Sequence, residues 1–147
     1  MDYSIFYERI KADFWEYFYA CFFIAFLSLV ISVILIICFL KSKNKSELFC
    51  GIILFIGFIF AVSRLSILFP DISNIRNETF ILTVGIVVGH DTTDNNRPTS
   101  RSIKLKENET EKIIKLSVHY TNIYINDMLE VIYLPNSGIG AIIRIIE

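Results

Sequence analysis

Two long apolar runs dominate the pattern of the chain. Tyr17–Leu40 has no charged residue, and Leu48–Phe69 has one, Arg64. Between them lies the polar, basic stretch Lys41-Ser42-Lys43-Asn44-Lys45-Ser46-Glu47. A bilayer core about 30 Å thick takes roughly 20 apolar residues at about 1.5 Å rise each. Both runs reach that length, so residues 17–69 are expected to form a transmembrane α-helical hairpin with a basic loop at 41–47. The first run reads as a span and not as a cleaved signal peptide. It is preceded by a segment of mixed charge and ends in Phe39-Leu40-Lys41, with no small-residue cleavage pattern.

After Phe69 the period changes. Pro70 is expected to end the second helix, and residues 70–78 to form a polar linker. Thr79–Val88 is rich in β-branched and aromatic residues, with Gly85 as the expected bulge. Gly89–Arg101 is a polar loop. Ser102–Lys106 and Lys112–Tyr120 read as strands, and in the second Ile114, Leu116 and Val118 alternate with Lys115, Ser117 and His119. Thr121–Asp127 carries a turn, with a short strand as a further reading. Leu129–Leu134 and Ile139–Ile146 flank Pro135-Asn136-Ser137-Gly138, which has the chemistry of a hairpin turn. The pattern therefore predicts a small all-β domain over 79–147, an OB- or SH3-like barrel or a rolled antiparallel sheet.

Residues 1–16 alternate charges (Glu8, Arg9, Lys11, Asp13, Glu16) with Ile5, Phe6, Ile10, Phe14 and Trp15. With Tyr17, Phe18 and Tyr19 close behind, this segment reads as an interfacial lead into the first span. Within the spans, small residues recur at helical spacing: Cys21, Ala25, Ser28 and Ser32 in the first, Cys50, Gly57 and Ala61 in the second. Helices in lipid approach closely over small side chains. The two stripes are expected to face each other, the alternative being another protomer or a membrane partner. Arg64 lies near the end of its span, where its stem can carry the guanidinium to the headgroups. The functional alternative is a charge lining a transport path in an oligomer.

Charge sets the expected orientation. Lys41, Lys43 and Lys45 in the loop outnumber Arg9 and Lys11 in the amino-terminal flank. Basic short loops stay cytoplasmic, so both termini and the β-domain are expected outside a cell membrane. The hydrophobic fraction of 54% comes mainly from the two runs. Cys21, Cys38 and Cys50 all lie inside or at the edge of those runs, so the β-domain has no disulfide framework.

Signals of catalysis are thin. His90 with Asp91, Asp94 and His119 is the one conceivable metal cluster, and its plainer reading is a polar loop beside a strand-surface histidine. No nucleophile motif or phosphate loop is present. The expectation is a protein that is not an enzyme and has no cofactor. Arg97, Arg101, Lys104 and Lys106 form a basic segment suited to an anionic headgroup or an acidic partner surface, the plainer reading being a solvated rim. Residues 70–147 hold ten acids to eight bases, which argues against nucleic acid. Asn77-Glu78-Thr79 and Asn108-Glu109-Thr110 match the glycosylation acceptor.

The stretch from Asn126 to Ser137 (NDMLEVIYLPNS) resembles the closing strands of small β-domains in bacterial membrane proteins of unknown function. In those domains an Asn-Asp or Gly-Asp turn precedes a Val-x-Val-x-Tyr strand, then Pro and a polar turn. Tyr133-Leu134-Pro135-Asn136-Ser137 is the most specific part. The present chain departs from that pattern in placing both spans before the β-domain. The resemblance implies a structural module and carries no site residues. The functional expectation is a multi-pass membrane protein that contacts membrane lipid and displays an extracytoplasmic β-domain to another protein, as an accessory subunit or an immunity-type protein. The alternative is a homo-oligomeric transport or channel component with Arg64 in the path.

Overall fold

The computed structural model describes residues 3–90, 101–119 and 122–146. The order of elements is α1 (Ser4–Ser42), α2 (Lys45–Arg76), β1 (Ile81–His90), β2 (Arg101–Glu107), β3 (Ile113–Val118), β4 (Met128–Tyr133) and β5 (Ile139–Ile146). Two compact units divide the chain, Trp15–Phe69 and the combination of Met1–Phe14 with Pro70–Glu147. The first ten or so residues of α1 thus belong with the β-domain, where a separate lead was expected.

The unit 15–69 is a two-helix hairpin. Both of its helices are long and apolar enough to cross a membrane, and only 17% of each apolar window is buried. A soluble core helix would be mostly buried. Here Phe22, Phe23, Phe26, Phe49 and Phe60 all point outward. The turn is far shorter than the expected 41–47 loop. Lys43 takes a left-handed conformation (φ 57°), and its N–H bonds the Phe39 carbonyl at 2.8 Å to close α1. Asn44 then caps α2 by accepting the Ser46 N–H on Oδ1 at 3.1 Å.

Cys21, Ala25, Ser28 and Ser32 are all buried. On the part of α2 within this unit, residues 45–69, the buried positions are Gly51, Ala61, Leu65 and Leu68, whereas Cys50 and Gly57 are exposed. The expected α2 stripe is therefore corrected. The close approach is made by Gly51, one position along from Cys50, which rotates the face by about 100°. A Cβ on Gly51 would lie 3.3 Å from Ile36 Cγ1 and 3.5 Å from the Ser32 carbonyl oxygen, while one on Gly57 would meet nothing within 4 Å. Ser32 Oγ donates to the Gly51 carbonyl at 2.8 Å, a buried bond between the helices.

In the second unit α2 continues through Pro70 to Arg76, against the expectation that Pro70 ends it. Proline removes one helix hydrogen bond. The turn beyond it is fixed by side-chain bonds of Asp71 to the 135–137 turn. The helix ends in a Schellman motif, with Glu78 left-handed (φ 53°), Thr79 N–H on the Asn74 carbonyl at 2.9 Å and Glu78 N–H on the Ile75 carbonyl at 3.4 Å.

The five strands form a mixed sheet whose order, β1-β2-β3-β5-β4, closes on itself through β4 and β1. Four pairings are antiparallel, and β3 with β5 is parallel, which corrects the fully antiparallel alternative. Gly138 makes that pairing feasible. It sits at φ 69°, where a Cβ would stand 2.5 Å from the Lys115 carbonyl oxygen. Its own carbonyl accepts the Ser117 N–H at 2.9 Å. The register of β1 on β2 slips between Val87 and Gly89, so the irregularity lies at Val88 and not at Gly85. Gly85 is instead a point of close approach, since a Cβ there would fall 2.5 Å from the Lys106 carbonyl oxygen. Val87, Ile103, Leu105, Leu116, Val118, Ile123, Leu129, Val131 and Tyr133 fill the interior. Within this unit the 4–14 stretch is held by Tyr7 stacked on Phe80 at 4.6 Å between centroids, by Lys11 to Glu78 at 2.9 Å and by Asp13 to His119 at 3.2 Å.

Candidate functional site

Alternation along β2 turns Ile103 and Leu105 inward and leaves Ser102, Lys104 and Lys106 on the outer face. Alternation along β3 turns Leu116 and Val118 inward and leaves Lys115 and Ser117 outside. The register sets Ser102 opposite Ser117 and Lys104 opposite Lys115. Residues directly opposite in an antiparallel pair share a face, with Cβ atoms roughly 4.5–5.5 Å apart. Two lysines thus stand side by side. They line an open cleft of about 280 Å³ with Val88, Gly89, His90 and Ser102. The displaced β1 strand at Val88 forms its other wall, and Gly89 leaves room there, with the Lys104 stem 3.7 Å from where a Cβ would be.

The residues expected in a basic binding segment do not form one group. Arg97 lies outside the described residues, as do Asp91 and Asp94. Arg101 is buried, only 6% exposed, with its Nη1 donating to the Ile123 carbonyl at 3.0 Å. Its Nη2 lies 2.9 Å from His90 Nδ1. A guanidinium can only donate, so Nδ1 accepts and a neutral His90 ring carries its proton on Nε2. Arg101 therefore braces the inside of the sheet and is corrected as a surface contact. Lys106 is half-buried and lies 3.8 Å from Glu111 across the β2–β3 turn. Lys104 is exposed, and among the described residues neither it nor Lys115 forms an ion pair.

Lys115 is the residue that sequence reasoning missed. Its outward direction was legible from the alternation in β3. Its place beside Lys104 depends on strand register, which the sequence alone does not set. Arg64 is exposed on α2 in the helical unit. Among the described residues no three metal-ligating side chains gather. His119 instead pairs with Asp13, and His90 with Arg101.

A second polar cluster lies at the other end of β2. Glu107 is buried and accepts from Thr110 Oγ1 at 2.5 Å and from Tyr133 Oη at 3.3 Å. Burial, and then the neighbouring Glu107 carboxylate, push the Tyr133 phenol up to about 12. The hydroxyl is thus held neutral, as a donor that closes the β2–β3 turn over the interior.

The chain matches no protein-family model, no curated protein and no solved structure.

Proposed function

We propose that this is a non-enzymatic, multi-pass membrane protein in which a two-helix anchor displays a small extracytoplasmic β-domain for binding another protein. The observation that carries the reading is the outer surface of the hairpin. It is apolar around most of its circumference, and only 17% of each apolar window is buried. An apolar surface of that extent favours lipid over water. The small buried stripe and the Ser32–Gly51 bond account for the packing of the two helices on each other. Lys41, Lys43 and Lys45 favour a cytoplasmic turn. The strand order, with its parallel β3–β5 pair, supports an OB-like barrel. Such a scaffold presents recognition on its outer strands and loops, and here the outer face of β2 and β3 carries exposed lysines beside exposed Val88 and Ile113.

The test is site-specific photo-crosslinking in living cells. A photoreactive residue replaces exposed Ile113, with a second at exposed Ser63 on α2 as a control. The expected result is one discrete protein adduct from position 113 that is absent from position 63. Adducts to this chain alone would replace the reading with self-association. No protein adduct from 113 would overturn it.

A further inference from the structure

The proposed binding role leaves the chemistry of the partner open, and the pair of lysines bears on it. We infer that the cleft between Lys104 and Lys115 receives the carboxylates of an acidic, extended segment of the partner protein. The inference rests on the reading of the β-domain as a protein-binding module.

Like charges placed directly opposite across two strands repel and weaken the sheet. Lys104 and Lys115 are so placed, both exposed, and neither meets an acid among the described residues. The nearby Lys106 is handled differently, with Glu111 at 3.8 Å. The cost of the pair is relieved when an anion sits between the two ammonium groups. The wall of the cleft is shaped for an approach from outside. Gly89 has no side chain, and β1 is displaced at Val88.

The open form of the cleft bears on the kind of anion: a pocket for a free metabolite buries most of its ligand, and this cleft does not enclose one. Apolar Val88, 42% exposed, lines the cleft itself, and the face continues along β3 to Ile113, 59% exposed. Successive side chains of an extended chain point to opposite faces, so a segment with acids at alternate positions turns its carboxylates together toward the lysines.

The experiment uses the full chain in detergent micelles. The probe is a fluorescent hexapeptide of alternating glutamate and valine, with its lysine–valine counterpart as control. Lys115→Glu is the informative variant. It converts the repelling pair into an attracting one, so the fold is retained while the anion site is lost. The expected result is binding of the acidic peptide only, weakened roughly tenfold or more by Lys115→Glu and by raised salt, with an unfolding midpoint equal to or above that of the wild type. Equal peptide affinity for wild type and Lys115→Glu overturns the inference. So does full competition by inorganic phosphate at millimolar concentration, or preferential binding to vesicles containing phosphatidylglycerol, since either assigns the lysines to a phosphate group. The position 113 crosslink separates the two levels. An adduct that persists in Lys115→Glu removes the acidic-segment inference and keeps the binding module, while loss of the adduct in the wild type removes both.

Discussion

Asp71 offers the sharpest test of how the β-unit is held. It follows Pro70, beyond the apolar run of α2, and its carboxylate is fully buried. It accepts the Ser137 N–H at 2.7 Å, the Asn136 N–H at 3.3 Å, Asn136 Nδ2 at 2.8 Å and Asn74 Nδ2 at 2.9 Å. Burial alone would raise the carboxyl, but the bonds from Ser137, Asn136 and Asn74 outweigh it and hold the group below the usual carboxylate range. Asp71→Ala removes every acceptor at once. Each charge-assisted bond is worth about 1.5–3 kcal/mol, and the two asparagine amides can turn to water. The two backbone N–H groups then set the cost, roughly 3 kcal/mol for opening the 135–138 turn. That corresponds to roughly 150-fold faster amide exchange at Ser137. Hydrogen exchange read by mass spectrometry on the full chain in micelles measures it, normalised to the intrinsic rate at each pH. A lowered carboxyl stabilises the fold above its unfolded value, near 3.8, and that contribution is lost as pH falls through the folded value. Wild-type protection at Ser137 should hold at neutral pH and decline below about pH 4, and Asp71→Asn should abolish that decline. Unchanged exchange at Ser137 in Asp71→Ala would refute the reasoning.

Three further outcomes are expected. Gly51→Leu should destabilise the hairpin by about 1–3 kcal/mol, because its side chain must displace Ile36 and break the Ser32 bond. Gly57→Leu should be neutral in the same steric-trapping assay, since nothing lies within 4 Å of that position. Gly138→Ala should cost at least about 1–3 kcal/mol and selectively deprotect Ser117 and Ile139, because φ is 69° and the Lys115 carbonyl oxygen stands 2.5 Å from the new Cβ. Tyr133 should remain protonated well above the ordinary phenol range, with ultraviolet absorbance showing one tyrosine titrating near pH 12. A phenol raised in the fold stabilises it below the unfolded value near 10, so stability should fall as pH rises from about 10 to about 12, and Tyr133→Phe should remove that slope.

Much of this architecture was legible in the sequence because it rests on local patterns. The runs at 17–40 and 48–69 announce the hairpin through length and composition alone. Alternation at 113–118 and turn chemistry at 135–138 announce strands and a reversal. What was missed depends on contacts distant in sequence. Pro70 reads as a stop, yet Asp71, bound to residues more than sixty positions away, carries the helix onward. Cys50 and Gly57 look like a packing stripe, yet Gly51 makes the approach, because the phase of a helix is set by its neighbour. Gly85 reads as a bulge, yet the close approach of β2 is what requires glycine there. Arg101 looks like surface charge, yet alternation in β2 turns it inward. The Lys104–Lys115 pair is a product of register, which becomes visible once β2 and β3 are aligned.

Sidedness labelling tests the membrane arrangement most directly. Cys21, Cys38 and Cys50 would be replaced by alanine, and single cysteines introduced by Ser46→Cys, beside the helical turn, and Asn108→Cys, in the β2–β3 turn, both exposed positions. Intact cells would be treated with a membrane-impermeant thiol reagent, with lysed cells as the reference. Labelling is expected at 108 in intact cells and at 46 only after lysis. Labelling at 46 with protection at 108 would put the β-domain in the cytoplasm, and equal labelling of both in intact cells would contradict a hairpin that crosses the membrane.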